Sequence, residues 1–225
     1  MTTPNDCIHR DDGITEIFLN SRKYGRVPVL VSTIDYYKYN LESYRWILFT
    51  PKSAQTRYAH TKAPHPSGGL TKKGFKRSRS IFLHALIMET PKGMHTDHIN
   101  GQGLDNRREN LRVCTPSQNF CNQKVKRSSR SGYKCVYEIR KPYKSKYTSK
   151  KTGKTSYREY MPSKRWVAYI THPEKQGRNI KLGHFDTAEE AAQAYDLEAL
   201  RRFGEFARLN FPEKVNQYEK EIHST

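Results

Sequence analysis

Asp97 and His98 are adjacent, Asn110 follows His98 by twelve residues, and Asn119 follows it by twenty-one. An imidazole that is neutral near pH 7 suits proton removal from water. A hard divalent cation prefers oxygen ligands, a carboxylate or an amide carbonyl, and Asp97 and Asn119 supply one of each. Hydrolysis of a phosphodiester needs an activated water, a shield for the phosphorane charge and help for the departing oxygen. Taken singly, these residues have plainer uses: a solvated loop pair, and asparagines that cap turns and helices. Their joint spacing is what points to chemistry. Strict strand alternation would send Asp97 and His98 to opposite faces, so a shared role needs a break that Asn100-Gly101 can supply. His84, inside the apolar run Ile81 to Met88, reads as a packed core histidine at least as readily as a site residue. His95 reads better as a structural or phosphate contact than as a metal ligand. Gly101-Gln-Gly103 lacks the third glycine and the following helix of a dinucleotide fingerprint.

The elements that must position these residues form a ββα unit. Ile81 to Met88 reads as a short helix closed by Pro91 and Gly93, and Met94 to Ile99 as a strand. Gly101 to Asn106 is a turn-rich loop and Asn110 to Thr115 the returning strand. Thr115 then caps a helix that starts at Pro116. Upstream, Ile14 to Leu19, Val27 to Val31, Trp46 to Phe49 and Thr56 to His60 suit strands. Ser32 or Thr33 caps a short helix. Thr61 to Ser80, with Lys72, Lys73, Lys76, Arg77 and Arg79, reads as a loop or basic arm. Downstream, Tyr133 to Arg140, Arg165 to Thr171 and Asn179 to Phe185 are strands. Thr187 and Glu190 form a capping box for a helix ended by Gly204, with Ala188, Ala191, Ala192, Tyr195 and Ala199 on its inner face.

The 225 residues allow one large or two small domains. Lys plus Arg number 41 and Asp plus Glu 22, a net charge of +19 that makes a polyanion the leading partner class. Between residues 124 and 165, fifteen Lys or Arg face Glu138 and Glu159, and 15 − 2 leaves +13 in one stretch. Aromatic residues at 12%, led by 15 Tyr, exclude a disordered basic tail. The longest apolar stretch is too short to cross a bilayer, and residues 1 to 6 lack a secretory leader pattern, so a cytoplasmic protein is expected. Cys7, Cys114, Cys121 and Cys135 fall at no zinc or disulfide spacing and read as reduced thiols.

The segment His84 to Asn122 resembles the His-Asn-His (HNH) endonuclease superfamily, in the phage and intron-encoded homing branch whose last motif residue is Asn. The motifs that carry the likeness are Leu-His-Ala-Leu-Ile-Met, Thr-Asp-His-Ile-Asn-Gly, Leu-Asp-Asn-Arg-Arg-Glu-Asn-Leu-Arg and Ser-Gln-Asn. The resemblance implies His98 as general base and Asp97 and Asn119 as ligands of one Mg²⁺ or Mn²⁺ ion. It implies that Asn110 completes the catalytic set by holding the loop and orienting His98, and that cleavage leaves 5′-phosphate and 3′-hydroxyl ends.

Ser131 to Pro212 resembles the APETALA2 (ethylene-response-factor) DNA-binding domain. The likeness rests on Ser131-Gly-Tyr-Lys-Cys-Val136, Trp166-Val-Ala168, Lys181-Leu-Gly-His-Phe-Asp-Thr-Ala-Glu-Glu-Ala-Ala192 and Leu209-Asn-Phe-Pro212. That family implies a three-stranded sheet entering the major groove of double-stranded DNA with a helix behind it. The matching groove-face positions hold Lys134, Tyr137, Arg165, Tyr169, Thr171 and Lys181. Arginines of the plant members are replaced at Lys134, Tyr137, Asn179 and Lys181, which weakens bidentate guanine reading. Lys141 to Lys164 is an insertion that either tracks phosphates or is a solvated loop.

The expected class is α+β. A ββα-metal nuclease unit with an N-terminal mixed α/β extension fills residues 1–125 (motif core 81–125). A three-stranded antiparallel sheet packed on one helix fills 126–213, and 214–225 is a tail. The boundary falls near Lys126 to Ser131. The expected function is a metal-dependent, site-directed DNA endonuclease of homing type, acting as a monomer and nicking one strand, with no small-molecule cofactor and no membrane. The alternative is a non-catalytic, sequence-specific DNA-binding transcriptional regulator.

Overall fold

The computed structural model describes residues 4–51, 56–64, 68–70, 72–74, 76, 78–125, 129–175 and 177–224, apart from the side chains of 145 and 158. Arg77 of the basic segment and 126–128 of the expected boundary lie outside the described residues. The chain divides into two compact units, Met1–Asn119 and Phe120–Thr225.

In the first unit, β1 (Cys7–His9), β2 (Ile14–Ser21) and β3 (Gly25–Ser32) form an antiparallel sheet in that order. Period-two patterning sets its register: Thr15, Ile17 and Leu19 are buried along β2 and face Val31, Val29 and Val27 of β3. Branched side chains suit such a half-buried pleated surface. Helix α1 (Thr33–Lys38) follows, with Ser32 at its N-cap position but making no side-chain cap bond. A second antiparallel sheet joins β4 (Ile47–Phe49), β5 (Tyr58–Pro64) and β6 (Ser78–Phe82) in that order. Both ends of the expected basic arm are therefore strand, paired from His60↔Phe82 to Pro64↔Ser78. Ala59 and Thr61 alternate inward there, which extends β5 beyond His60.

Helix α2 (Leu83–Ile87) leads to β7 (His95–His98), which pairs antiparallel with β8 (Leu111–Cys114), and α3 (Pro116–Asn122) follows. Thr115 Oγ1 accepts from the Gln118 amide at 3.2 Å, and Gln118 Oε1 accepts from the Thr115 amide at 2.7 Å. This reciprocal cap fixes the start of α3. One core holds Ile17, Leu19, Val29, Val31, Trp46, Leu83, Ile87 and Leu111, so the N-terminal sheet and the ββα unit share their apolar interior. Each such fully buried side chain contributes about 1.5–3 kcal/mol.

In the second unit, β9 (Val136–Glu138), β12 (Trp166–Thr171) and β13 (Asn179–Phe185) make an antiparallel sheet of order β13-β12-β9. Between its first two strands, β10 (Tyr143–Thr148) and β11 (Thr155–Tyr160) form a separate two-stranded ribbon. Helix α4 (Ala188–Phe203) packs Ala191, Ala192, Tyr195 and Ala199 into the core with Ala168 and Ile170. Thr187 Oγ1 caps it by accepting from the Glu190 amide at 3.1 Å. Gly204 ends it at φ 51°, a left-handed value that favours glycine. Residues Val215–His223 are helical (α5) and bury Tyr218, so the expected tail is an ordered part of this unit. The four cysteines are free thiols. Among the described residues, no helix is long and apolar enough to cross a membrane.

Candidate functional site

β7 buries Thr96, Asp97 and His98 in succession, so the strand is covered on both sides. Asp97 stands directly opposite Arg112 of β8, whose Nη2 and Nε reach Asp97 Oδ2 at 3.0 and 3.1 Å. His98 has different neighbours: its ring meets His84 edge-on at 5.0 Å and Tyr58 at 5.8 Å, and Nε2 lies 3.4 Å from Asn106 Oδ1. The expected chain break comes after both residues, where Gly101 N donates to the His98 carbonyl at 2.8 Å. Burial holds the His98 imidazole below its ordinary range, against the opposing pull of Asn106, Asp97 and Asp105. Burial likewise pushes His84 down to about 3, with His98 adding to the effect. Two neutral imidazoles therefore pack together, and His84 belongs to the wall of the site.

The β7–β8 loop is clamped from several directions. Asn110, buried, accepts from the Asn100 amide at 3.0 Å and donates to the Asp105 carbonyl at 2.8 Å. Hydrogen bonds from Arg107 hold Asp105 below the ordinary carboxylate range. The loop is also strapped to β3: Leu30 N donates to Leu104 O at 2.9 Å and Asn106 N to Leu30 O at 2.7 Å. Arg108 bonds buried Asp35 at 2.7 Å and the Ile87 carbonyl at 3.0 Å. Gly103 has a packing reason rather than a dinucleotide one, because an added Cβ would lie 2.5 Å from Arg57 O and 2.6 Å from the Tyr58 ring.

Asn119, on α3, meets the exposed start of β7, where its Nδ2 lies 3.0 Å from His95 Nδ1. His95 and Asp97 are two residues apart and share a strand face. Among the described residues, no group of three or more His, Cys, Asp or Glu side chains could hold a metal ion. The residues that would hold an ion are instead a carboxylate, Asp97, which Arg112 also engages, and an amide, Asn119. That sparse oxygen set fits a hydrated ion that completes its shell with water and phosphate oxygens, as Mg²⁺ does, and not a closed protein cage.

Residues 88–120 match the HNH endonuclease family. The matched segment runs through β7, its clamped loop, β8 and the start of α3. An uncharacterized HNH endonuclease of Acanthamoeba polyphaga mimivirus is 33% identical over 131 residues, covering 57% of this chain and 54% of that protein. The dehydration-responsive element-binding protein 2D of Arabidopsis thaliana is 45% identical over 60 residues, 27% of this chain and 29% of its own. An ethylene-responsive transcription factor of the same plant is 48% identical over 59 residues, 26% of this chain and 32% of its own. The chain thus spans about half the length of the viral relative and a third or less of the plant ones. No solved structure gives a significant match.

In the second unit, the AP2-like sheet presents an outer face opposite α4. Register and alternation put Tyr137, Tyr169, Lys181 and His184 there, with Tyr169 directly opposite Lys181. Tyr137 is exposed and packs edge-on to Tyr169 at 6.0 Å. Arg165 is exposed at the entry to β12 and donates to the Ile139 carbonyl at 3.3 Å. Two expected groove-face residues are buried. Thr171 is buried at the end of β12. Lys134 is also buried; its ammonium donates to the Cys121 carbonyl and lies over the Tyr195 ring at 5.7 Å. Lys134 belongs to the turn before β9, and Cys135 at φ 59° turns the chain there, so strand alternation does not govern it. Reasoning from sequence missed Arg112 and Asn106. Arg112 was findable, since pairing the two strands places it against Asp97; Asn106 carries no comparable signal.

Proposed function

We propose that the chain is a metal-dependent, site-directed DNA endonuclease of phage or mobile-element homing type that nicks one strand of a duplex. The observation that carries this reading is a buried imidazole, held neutral by its burial at the end of β7, next to a loop clamped by Asn110 within the HNH-matched segment. His98 is the general base that takes the proton from the attacking water, with its ring held by Asn106 at Nε2. Asn110 is a positioning residue, tying both ends of the loop that His98 adjoins. Asp97 and Asn119 are the residues that would hold a divalent ion, Mg²⁺ or Mn²⁺. When bound, such an ion shields the phosphorane charge and helps the departing oxygen. Arg112 orients the Asp97 carboxylate through its two contacts to Oδ2. One such unit per chain gives one cut per encounter, with 5′-phosphate and 3′-hydroxyl products. The second unit supplies DNA binding.

The test is break mapping on bacterial and phage genomic DNA with the purified protein and its His98→Ala variant, each with Mg²⁺ or a chelator. Discrete new 3′-hydroxyl ends that require both Mg²⁺ and His98 are expected. Scattered ends would remove site direction, and no ends with specific fragments retained would replace the nuclease by a non-catalytic regulator.

A further inference from the structure

The inserted ribbon is ordered as strand pairs, from Tyr143↔Tyr160 to Thr148↔Thr155, and closed by a turn in which Ser149 N donates to Lys154 O at 3.0 Å. It has no apolar interior that would account for it. Tyr143, Tyr147, Tyr157 and Tyr160 are all exposed, as are Lys144, Lys146, Lys150, Lys151 and Lys154. Residues 143–160 hold six Lys or Arg and one Glu, and 6 − 1 leaves +5 on this one element. A solvated linker has no need of paired strands studded with tyrosines, and a core hairpin would bury them.

Its root stands on the outer face of the AP2-like sheet. The Tyr143 ring stacks on His184 at 6.0 Å and an interplanar angle of 9°. Lys181 Nζ lies over the same ring at 5.6 Å. Val167, on that face by alternation, is buried. The root therefore covers part of the surface that the plant-type arrangement lays into the major groove, and the sheet cannot approach a duplex flat. A two-stranded ribbon is itself a shape that the major groove admits, and its lysines are spread from root to tip.

We propose that the β10–β11 ribbon is the principal duplex-DNA contact of the second unit, with Lys146, Lys150, Lys151 and Lys154 set against phosphates and the sheet acting as its pedestal. This rests on the reading of the chain as a DNA endonuclease and names the element that does the binding. The partner is double-stranded DNA because a two-stranded, charged ribbon matches a regular major groove; the exposed tyrosines make single-stranded nucleic acid the competing outcome that the experiment separates.

The experiment is fluorescence anisotropy of the full chain on a mixed-sequence 30-base-pair duplex, titrated across salt. In the variant Lys146→Gln/Lys150→Gln/Lys151→Gln/Lys154→Gln, the slope of log affinity against log salt should shrink by about 2–4, near 0.9 for each lost phosphate contact. Affinity at moderate salt should fall about ten-fold or more. A control variant, Lys23→Gln/Lys38→Gln/Lys92→Gln/Lys220→Gln, removes the same charge elsewhere and should keep the wild-type slope. An unchanged slope in the ribbon variant, an equal loss in the control, or tighter binding of single-stranded RNA than of duplex would each overturn the proposal. Those results leave Mg²⁺- and His98-dependent cleavage standing. Absence of duplex binding by the wild-type chain would instead remove the endonuclease reading as well.

Discussion

At the scale of single residues, the most exacting positions are buried polar ones. Replacing His98 by Ala should lower the cleavage rate by about 10²–10⁴-fold while leaving duplex affinity intact; single-turnover kinetics retaining more than a tenth of the wild-type rate would exclude it as the base. Asn110→Ala takes the side-chain partner from the part-buried Asn100 amide and strands the buried Asp105 carbonyl, so urea unfolding of the first unit should lose about 1–3 kcal/mol. A loss under about 0.5 kcal/mol would mean that the clamp does not hold the loop. In the second unit, burial lowers the Lys134 ammonium to about 8, from an unperturbed value near 10.4. Between those values the unfolded chain keeps a proton that the folded chain has released, so stability rises with pH from about 8 to about 10. Asp196 runs the other way: burial raises it to about 6, so its contribution falls as pH climbs from about 4 to 6. Melting of the second unit should show a trough between pH 6 and 8, and Lys134→Met should erase the alkaline rise. An alkaline rise that survives in that variant would assign it to other groups.

At the scale of elements, the loop between β7 and β8 is the tightest piece of packing around the site. Gly103→Ala forces its Cβ against Arg57 O and the Tyr58 ring, and overpacking of this kind costs about 1–3 kcal/mol. The variant should lose cleavage along with stability, since Tyr58 also packs on His98; unchanged melting would show that the loop can shift freely. The ββα unit, the three strands of the second sheet and α4 were legible because their patterns are local: alternating β-branched residues, a Thr-to-Glu capping box, alanines three and four apart. The ribbon was not, because Tyr-Lys-Ser-Lys-Tyr-Thr has no buried face to give it a period. The strand pairing of 58–64 with 78–82 escaped because lysines between them masked a hairpin with only one apolar end. Lys134 misled because alternation was applied one turn too early. His98, Asp97 and Asn110 were readable as a set; their clamps from Leu30 and Asp35 were not, since those contacts join residues more than seventy positions apart.

At the scale of the whole molecule, a chain of net charge +19 should lose affinity for mixed-sequence duplex steeply between 50 and 200 mM salt, by about 10³-fold if six phosphates are neutralised. Chelation should abolish cleavage without changing that binding curve, and a chelator that weakened binding would place the ion in the DNA contact and not in the chemistry alone. The strap between β3 and the site loop bears on portability. The stretch 88–120 names the chemistry, but Leu104, Asn106 and Arg108 take their backbone and ionic anchors from Leu30 and Asp35. Transplanted into a foreign scaffold, that stretch would bring the reactive groups and leave their foundations behind. The smallest graft expected to keep those anchors is the entire first unit with the rest of α3, residues 1–122.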